Sequence, residues 1–164
     1  DSLIKALAVL QKDYPEEDWR LLLMGDGPLK ESLKWQVQSL KLDKKVIFKE
    51  AVGHTELPKY LKISHVFVRP SFSEGLGNSF LEAMAAGVPI IGTAVGGIPD
   101  FLTDGETGLF CDPHNPEDIA KKIKLILDDD NLRKNMIKKA RALVEEKYDW
   151  NKIAEDYRRL YETI

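Results

Sequence analysis

Residues 65–93 read HVFVRPSFSEGLGNSFLEAMAAGVPIIGT. They open as an apolar run (HVFVRP, 65–70), pass through a glycine-bearing turn, and continue over 78–86 as a segment apolar nearly all round. Gly87 suits the residue after a helix, and Pro89 prevents the helix from resuming. A second apolar run, VPIIGT (88–93), follows. Short continuous apolar runs mark strands buried on both faces, and a helix apolar on every side must itself be buried. Strand, buried helix, strand is the repeating unit of a parallel sheet with right-handed crossovers.

The same alternation extends outward. Upstream, 2–12 repeats Leu3, Leu7 and Leu10 at helical spacing, and RLLLMG (20–25) reads as a strand buried on both faces. GDGP (25–28) follows, with Asp26 or Gly27 able to cap and Pro28 suited to the first helical position. That helix runs to about Leu40 with Leu29, Leu33, Val37 and Leu40 as its apolar repeat. VIFKEAVG (46–53) is a second strand with its exit loop, and ELPKYLK (56–62) a short helix. Downstream, GGIPDFL (96–102) starts a short helix, and the turn TDGETG (103–108) leads to a last strand, GLFCD (108–112).

From Pro113 on, the pattern is helical. One helix opens at Pro116 with Ile119, Ile123, Ile126 and Leu127. A second carries Leu132, Met136, Ala140 and Leu143. The last carries Trp150, Ile153, Ala154, Tyr157, Leu160, Tyr161 and Ile164, a stripe expected to be core. The fold class is therefore α/β: a three-layer, Rossmann-like parallel sheet with helices on both faces and further helices at the C-terminus. Residues 1–164 form one domain, with 113–164 as its helical part.

The bulk numbers bound the function. At 164 residues the chain fits one core. A net charge of -3 argues against general nucleic-acid binding, which needs a basic face. The Lys/Arg tracts near 121–141 alternate with apolar residues and read as a solvated helix face. Cys111 is the only cysteine, which excludes an internal disulfide and points to a reducing, cytoplasmic setting. No window is apolar for the roughly 18 residues a membrane span needs. The opening DSLIKALAVL lacks the basic start and cleavage site of a signal peptide. It begins in mid-pattern, as an excised piece of a longer protein would.

In parallel sheets, ligands bind at the carboxyl ends of the strands. The relevant loops are GDGP, EAVGHT (50–55), RPSFSEGLGN (69–78), TAVGG (93–97) and the turn before Gly108. Gly75-Leu-Gly-Asn78 leads into the N-terminus of the buried helix, where free amides and the helix dipole suit a diphosphate. It also reads as an ordinary strand-to-helix turn. Glu82 fits a capping box with Ser79. In a helix of Phe80, Leu81, Ala83, Met84 and Ala85 it also needs a partner, and a sugar diol is a good one. Glu74 reads as a loop acid or as an acceptor for sugar hydroxyls. Arg69 reads as an anion contact or a surface charge, Asp26 as a helix cap, and His65 as structural. His54 lies at a strand's carboxyl end and reads as a minor candidate for ligand contact. The histidines and Cys111 do not fall at metal-ligand spacing, so no metal site is expected. Ser71 and Ser73 lack a nucleophile elbow.

Taken together, MGDGP (24–28), RPSFSEGLGNSFLEAMAAGVPII (69–91), GGIPD (96–100) and DGETGLF (104–110) resemble the C-terminal half of a GT-B glycosyltransferase. The family is the large retaining one whose signature is two glutamates with seven residues between them, here Glu74 and Glu82. The resemblance implies a donor-binding domain for a nucleotide-diphosphate-sugar such as a UDP-, GDP- or ADP-sugar, with a hexosyl group passed to a sugar or lipid-linked acceptor. It implies no metal or other cofactor. Glu74 would contact the donor sugar as the catalytic residue, and Gly75, Leu76, Gly77 and Asn78 would surround the sugar and diphosphate. Glu82 would hold the ribose, Gly25 and Gly27 would line the nucleotide pocket, and 48–52 would frame the base. The glycine pair Gly96-Gly97 would shape the floor. Where the family usually has glutamate, this chain has Asp100.

The family's half also begins with a central strand, a glycine-arginine turn and a lysine-glycine pair, and this chain starts just beyond them. The sheet should therefore show a gap, or RLLLM should pair elsewhere. The implied partner is an N-terminal acceptor-binding domain, with peripheral membrane association of the intact enzyme. The piece itself is expected to be inactive alone; if its last helix crosses to pack on the N-terminal half, as the resemblance implies is common, part of that helix's apolar face would be exposed and could drive self-association. A sugar-nucleotide epimerase-like enzyme and a non-catalytic interaction domain are the alternative readings.

Overall fold

A computed structural model describes residues 1–163; Ile164, the end of the expected apolar stripe, lies outside the described residues. The elements run α1 (Ser2–Asp13), β1 (Leu21–Met24), α2 (Lys30–Ser39), β2 (Val46–Lys49), α3 (Leu57–Lys62), β3 (Phe67–Val68), α4 (Asn78–Ala85), β4 (Ile90–Gly92), a 3-10 turn (Ile98–Asp100), β5 (Leu109–Phe110), α5 (Pro116–Asp128), α6 (Asp130–Lys147) and α7 (Trp150–Glu162). Every strand pairing is parallel. β4 is central to one ladder, with Phe67 and Val68 beside Ile90 and Ile91, and Ile91 and Gly92 beside Leu109 and Phe110.

Alternation along these strands builds the three layers. Successive strand residues point to opposite faces. Ile91, Leu109, Val66 and Val68 join one core with Ile4, Leu7 and Leu10 of α1 and Ile119, Ile123 and Ile126 of α5. Their neighbours Ile90, Phe110 and Phe67 join a second core with Phe80, Ala83 and Met84 of α4 and Ala140 and Val144 of α6. Each face of the sheet thus has its own helix pair: α1 on α5, and α4 on α6. Phe80 is the hub of the second core, edge-on to Phe67 with ring centroids 5.2 Å apart and 5.8 Å from Phe101.

Three expectations are corrected. First, β1 is not buried on both faces; all four of its residues are half-buried. β1 pairs only with β2, and among the described residues no ladder joins it to β3, so the sheet divides into two- and three-stranded parts. A strand paired on one edge is covered on fewer sides, and the gap that the resemblance implied is the outcome seen.

Second, α2 begins at Lys30, because Pro28 and Leu29 form a turn ahead of it. Leu29 and Leu40 stand exposed, leaving Leu33 and Val37 as the packing residues. Asp26 caps nothing; it pairs with Lys30 at 3.2 Å, and that hydrogen bond is the main reason its carboxyl is held below the usual range.

Third, the stripe of α7 is not core. No residue of α7 is buried, and Trp150 is 79% exposed. The second core takes Leu143, Val144 and Tyr148 and nothing beyond them.

Candidate functional site

The loops at the carboxyl ends of β3 and β4 interlock. The 69–78 loop carries the chain from β3 to Gly77, which occupies the N-cap position of α4 with φ 82°. Gly97 N–H donates to the Gly75 carbonyl at 2.7 Å. A Cβ on Gly96 would lie 1.9 Å from the Glu74 carbonyl oxygen, and one on Gly97 would lie 2.9 Å from the Gly75 carbonyl oxygen. Only a residue without a side chain lets two backbones meet this closely. The hydroxyl of Thr93, buried at the end of β4, donates to the Ser71 carbonyl at 2.7 Å. The loop is therefore seated on the strand beside it.

This seating places the two carboxylates. Glu74 is held inward, its side chain only 14% exposed. Its Oε2 forms an ion pair with Arg69 Nη2 at 3.0 Å and accepts from the Ser71 hydroxyl at 3.3 Å. Arg69 Nη1 reaches across the glycine turn to Ser79 Oγ at 2.9 Å. Glu82 lies one turn into α4, half-buried, and His54 Nδ1 of the loop after β2 stands 3.3 Å from its Oε1. Neither acid caps a helix: no side chain makes a cap hydrogen bond at the start of α4. The capping-box reading of Glu82 and the solvent-exposed reading of Glu74 are both corrected.

Gly75, Leu76 and Asn78 are exposed, and Gly77 is buried against Phe80 and Phe101. Gly25 and Gly27 end β1 in the open: nothing lies within 4 Å of where a Cβ on either would sit. They belong to the β1–β2 part of the sheet, joined there by the Gly25 N–H to the Lys49 carbonyl at 2.9 Å. No hydrogen bond or ion pair links them to Glu74 or Glu82 among the described residues. Two concavities, of about 310 and 540 Å³, lie away from these loops. They are lined by α1, α5 and the Lys41–Lys45 turn, with no residue from the strand-end loops just described. No cluster of metal-ligating side chains occurs among the described residues.

The ion pair of Arg69 with Glu74 was not legible from spacing, which left Arg69 between an anion contact and a surface charge. The clue available was that acid and serine flank a turn able to reverse the chain toward the residue preceding it. His54 and Glu82 are 28 residues apart, and only the crossover through α3 brings them together.

A parallel three-layer domain with such loops gathered at its strand ends has the architecture of the C-terminal half of a GT-B protein. Residues 1–143 match the family described as glycosyl transferases group 1, and the chain belongs to that family. The N-acetyl-alpha-D-glucosaminyl L-malate synthase of Bacillus anthracis is 36% identical over 151 residues, which cover 92% of this chain and 39% of that protein. The chain therefore spans about two-fifths of this curated relative. The C-terminal domain of a glycosyl transferase group 1 family protein from Francisella tularensis superposes with a TM-score of 0.79 at 31% identity, covering 91% of this chain and 78% of that one. HepE of Anabaena, solved in complex with UDP and glucose, shares the fold with a TM-score of 0.88 at 21% identity, over 99% of this chain and 44% of that one.

Proposed function

We propose that this chain is the nucleotide-sugar donor-binding half of a retaining glycosyltransferase, which passes a hexosyl group to a sugar or lipid-linked acceptor. The observation that carries this reading is the pairing of two partly buried carboxylates, Glu74 and Glu82, on either side of the turn that enters α4. Glu74 would accept from hydroxyls of the donor sugar, and Glu82 would hold the ribose diol. The amides of Gly75 to Asn78 and the positive end of α4 would receive the diphosphate. Gly25 and Gly27, with residues 48–52, would frame the nucleotide from the β1–β2 side. The UDP and glucose bound by the Anabaena neighbour support this class of ligand.

Catalysis would rest on stabilising the departing diphosphate through amides and cations, without a metal. An acceptor half would close over the donor to exclude water; the relative's greater length supports such a partner. Residues 1–164 alone would then bind donor weakly and transfer nothing, and the intact enzyme would work in the cytoplasm or at the cytoplasmic face of a membrane. No helix among the described residues is long and apolar enough to cross one.

The test is an acceptor screen with the full-length chain, reading nucleoside diphosphate release. Acceptor-dependent release that falls by about 100-fold or more in Glu74→Gln is expected. Release independent of any acceptor, or undiminished in Glu74→Gln, would refute it. Transfer above the uncatalysed background by residues 1–164 alone would refute the inactivity of the isolated half.

A further inference from the structure

We propose that Arg69 is a positioning residue for Glu74: its guanidinium turns the carboxylate so that Oε1 alone is left to accept from the donor sugar. This rests on the donor-site reading above. Glu74 Oε2 is paired with Arg69 Nη2 at 3.0 Å and accepts a hydrogen bond from the Ser71 hydroxyl at 3.3 Å. Oε1 makes no hydrogen bond among the described residues.

The second arm of the guanidinium, Nη1, reaches Ser79 Oγ at 2.9 Å. Glu74 and Ser79 bracket Gly75, Leu76, Gly77 and Asn78, whose amides are the anion-binding part of the loop. One rigid planar fork is thus anchored on Ser79 by one arm and holds the acid with the other, a geometry a lysine cannot reproduce. On its other side the loop is seated by Gly97 N–H on the Gly75 carbonyl and by the Thr93 hydroxyl on the Ser71 carbonyl. Arg69 supplies the constraint from the solvent side, where its own side chain is 48% exposed. Nη1 is bonded to Ser79 and Nη2 is paired with Glu74, so its charge acts on Glu74 rather than on the diphosphate. Arg69 should therefore affect binding of the sugar portion and leave nucleotide binding nearly untouched.

The experiment compares the full-length chain with Arg69→Met and Arg69→Lys by calorimetric titration with UDP-glucose and UDP, and with GDP-mannose and GDP. Arg69→Met is expected to weaken the nucleotide sugar by about tenfold and the free diphosphate by less than about twofold. Arg69→Lys, which keeps the charge but not the fork, should recover only part of the loss. Equal weakening of both ligands would assign Arg69 to the diphosphate and overturn the proposal. Unchanged affinity for both would make it a spectator and overturn it as well. Failure of the wild type to bind any of the four would overturn the donor-site reading itself, and this inference with it. If Arg69→Met lowers the melting temperature, the same ratio is read on Arg69→Lys and Ser79→Ala.

Discussion

Gly96 carries more structural consequence than its size suggests. Its φ is +55°, and an added Cβ would sit 1.9 Å from the Glu74 carbonyl oxygen. Gly96→Ala therefore combines a left-handed backbone with a backbone clash. It should cost about 2–4 kcal/mol of stability, measured by denaturant unfolding. Because the clash falls on the residue that carries the Glu74 side chain, donor affinity should fall in the fraction that remains folded. Cys111 stands apart from this chemistry. It is 8% exposed, and burial, reinforced by Asp118 and Asp112, pushes its thiol up to about 12. At pH 8 it should react with a disulfide reagent only on unfolding. A folded pKa above the unfolded one means its neutral form contributes stability that is intact below about pH 9 and is lost as pH rises toward 12. Reaction of the native chain as fast as free cysteine would contradict the burial.

Among the elements, α4 and α7 make opposite cases. α4 was legible because its residues are apolar on nearly every side, and Phe80, Ala83 and Met84 are indeed buried. Its surroundings followed from turn chemistry: Gly87 ends it at φ 76°. α7 has an equally clear period but no buried residue. Periodicity tells that a face is apolar, not what covers it. The same limit applies to β1, whose LLLM run reads the same whether one or two strands flank it. In the site, strand-end loops and glycine positions were readable because backbone geometry dictates them. The partner of Glu82 was not, since side-chain pairing across 28 residues leaves no local trace; Arg69 and Ser71 lie close to Glu74 in sequence, but spacing alone does not say which way a loop side chain turns. With Trp150, Tyr157, Leu160 and Tyr161 all more than half exposed, α7 offers a continuous apolar surface. Residues 1–164 should self-associate at high concentration, and deletion of 150–164 should abolish this without moving the melting temperature by more than about 4 °C. Strictly monomeric sedimentation of residues 1–164 would show that the face does not drive association.

At the scale of the molecule, a buried sheet with a helix pair on each face holds the loops after β3 and β4 rigidly together, while the loops after β1 and β2 sit on a separate ladder. The contact between Glu82 and His54 spans this division, linking the α4 side to the β2 side. A nucleotide sugar lying across it would place its sugar and diphosphate on the first set of loops and its nucleoside toward the second. The direct test is a calorimetric titration of the full-length chain with UDP-, GDP- and ADP-sugars, repeated for Glu82→Ala. Saturable binding of at least one is expected, weakened by about tenfold or more when Glu82 is removed. Absence of binding by all three, or an affinity unchanged in Glu82→Ala, would contradict the assignment of these loops to a nucleotide-sugar donor.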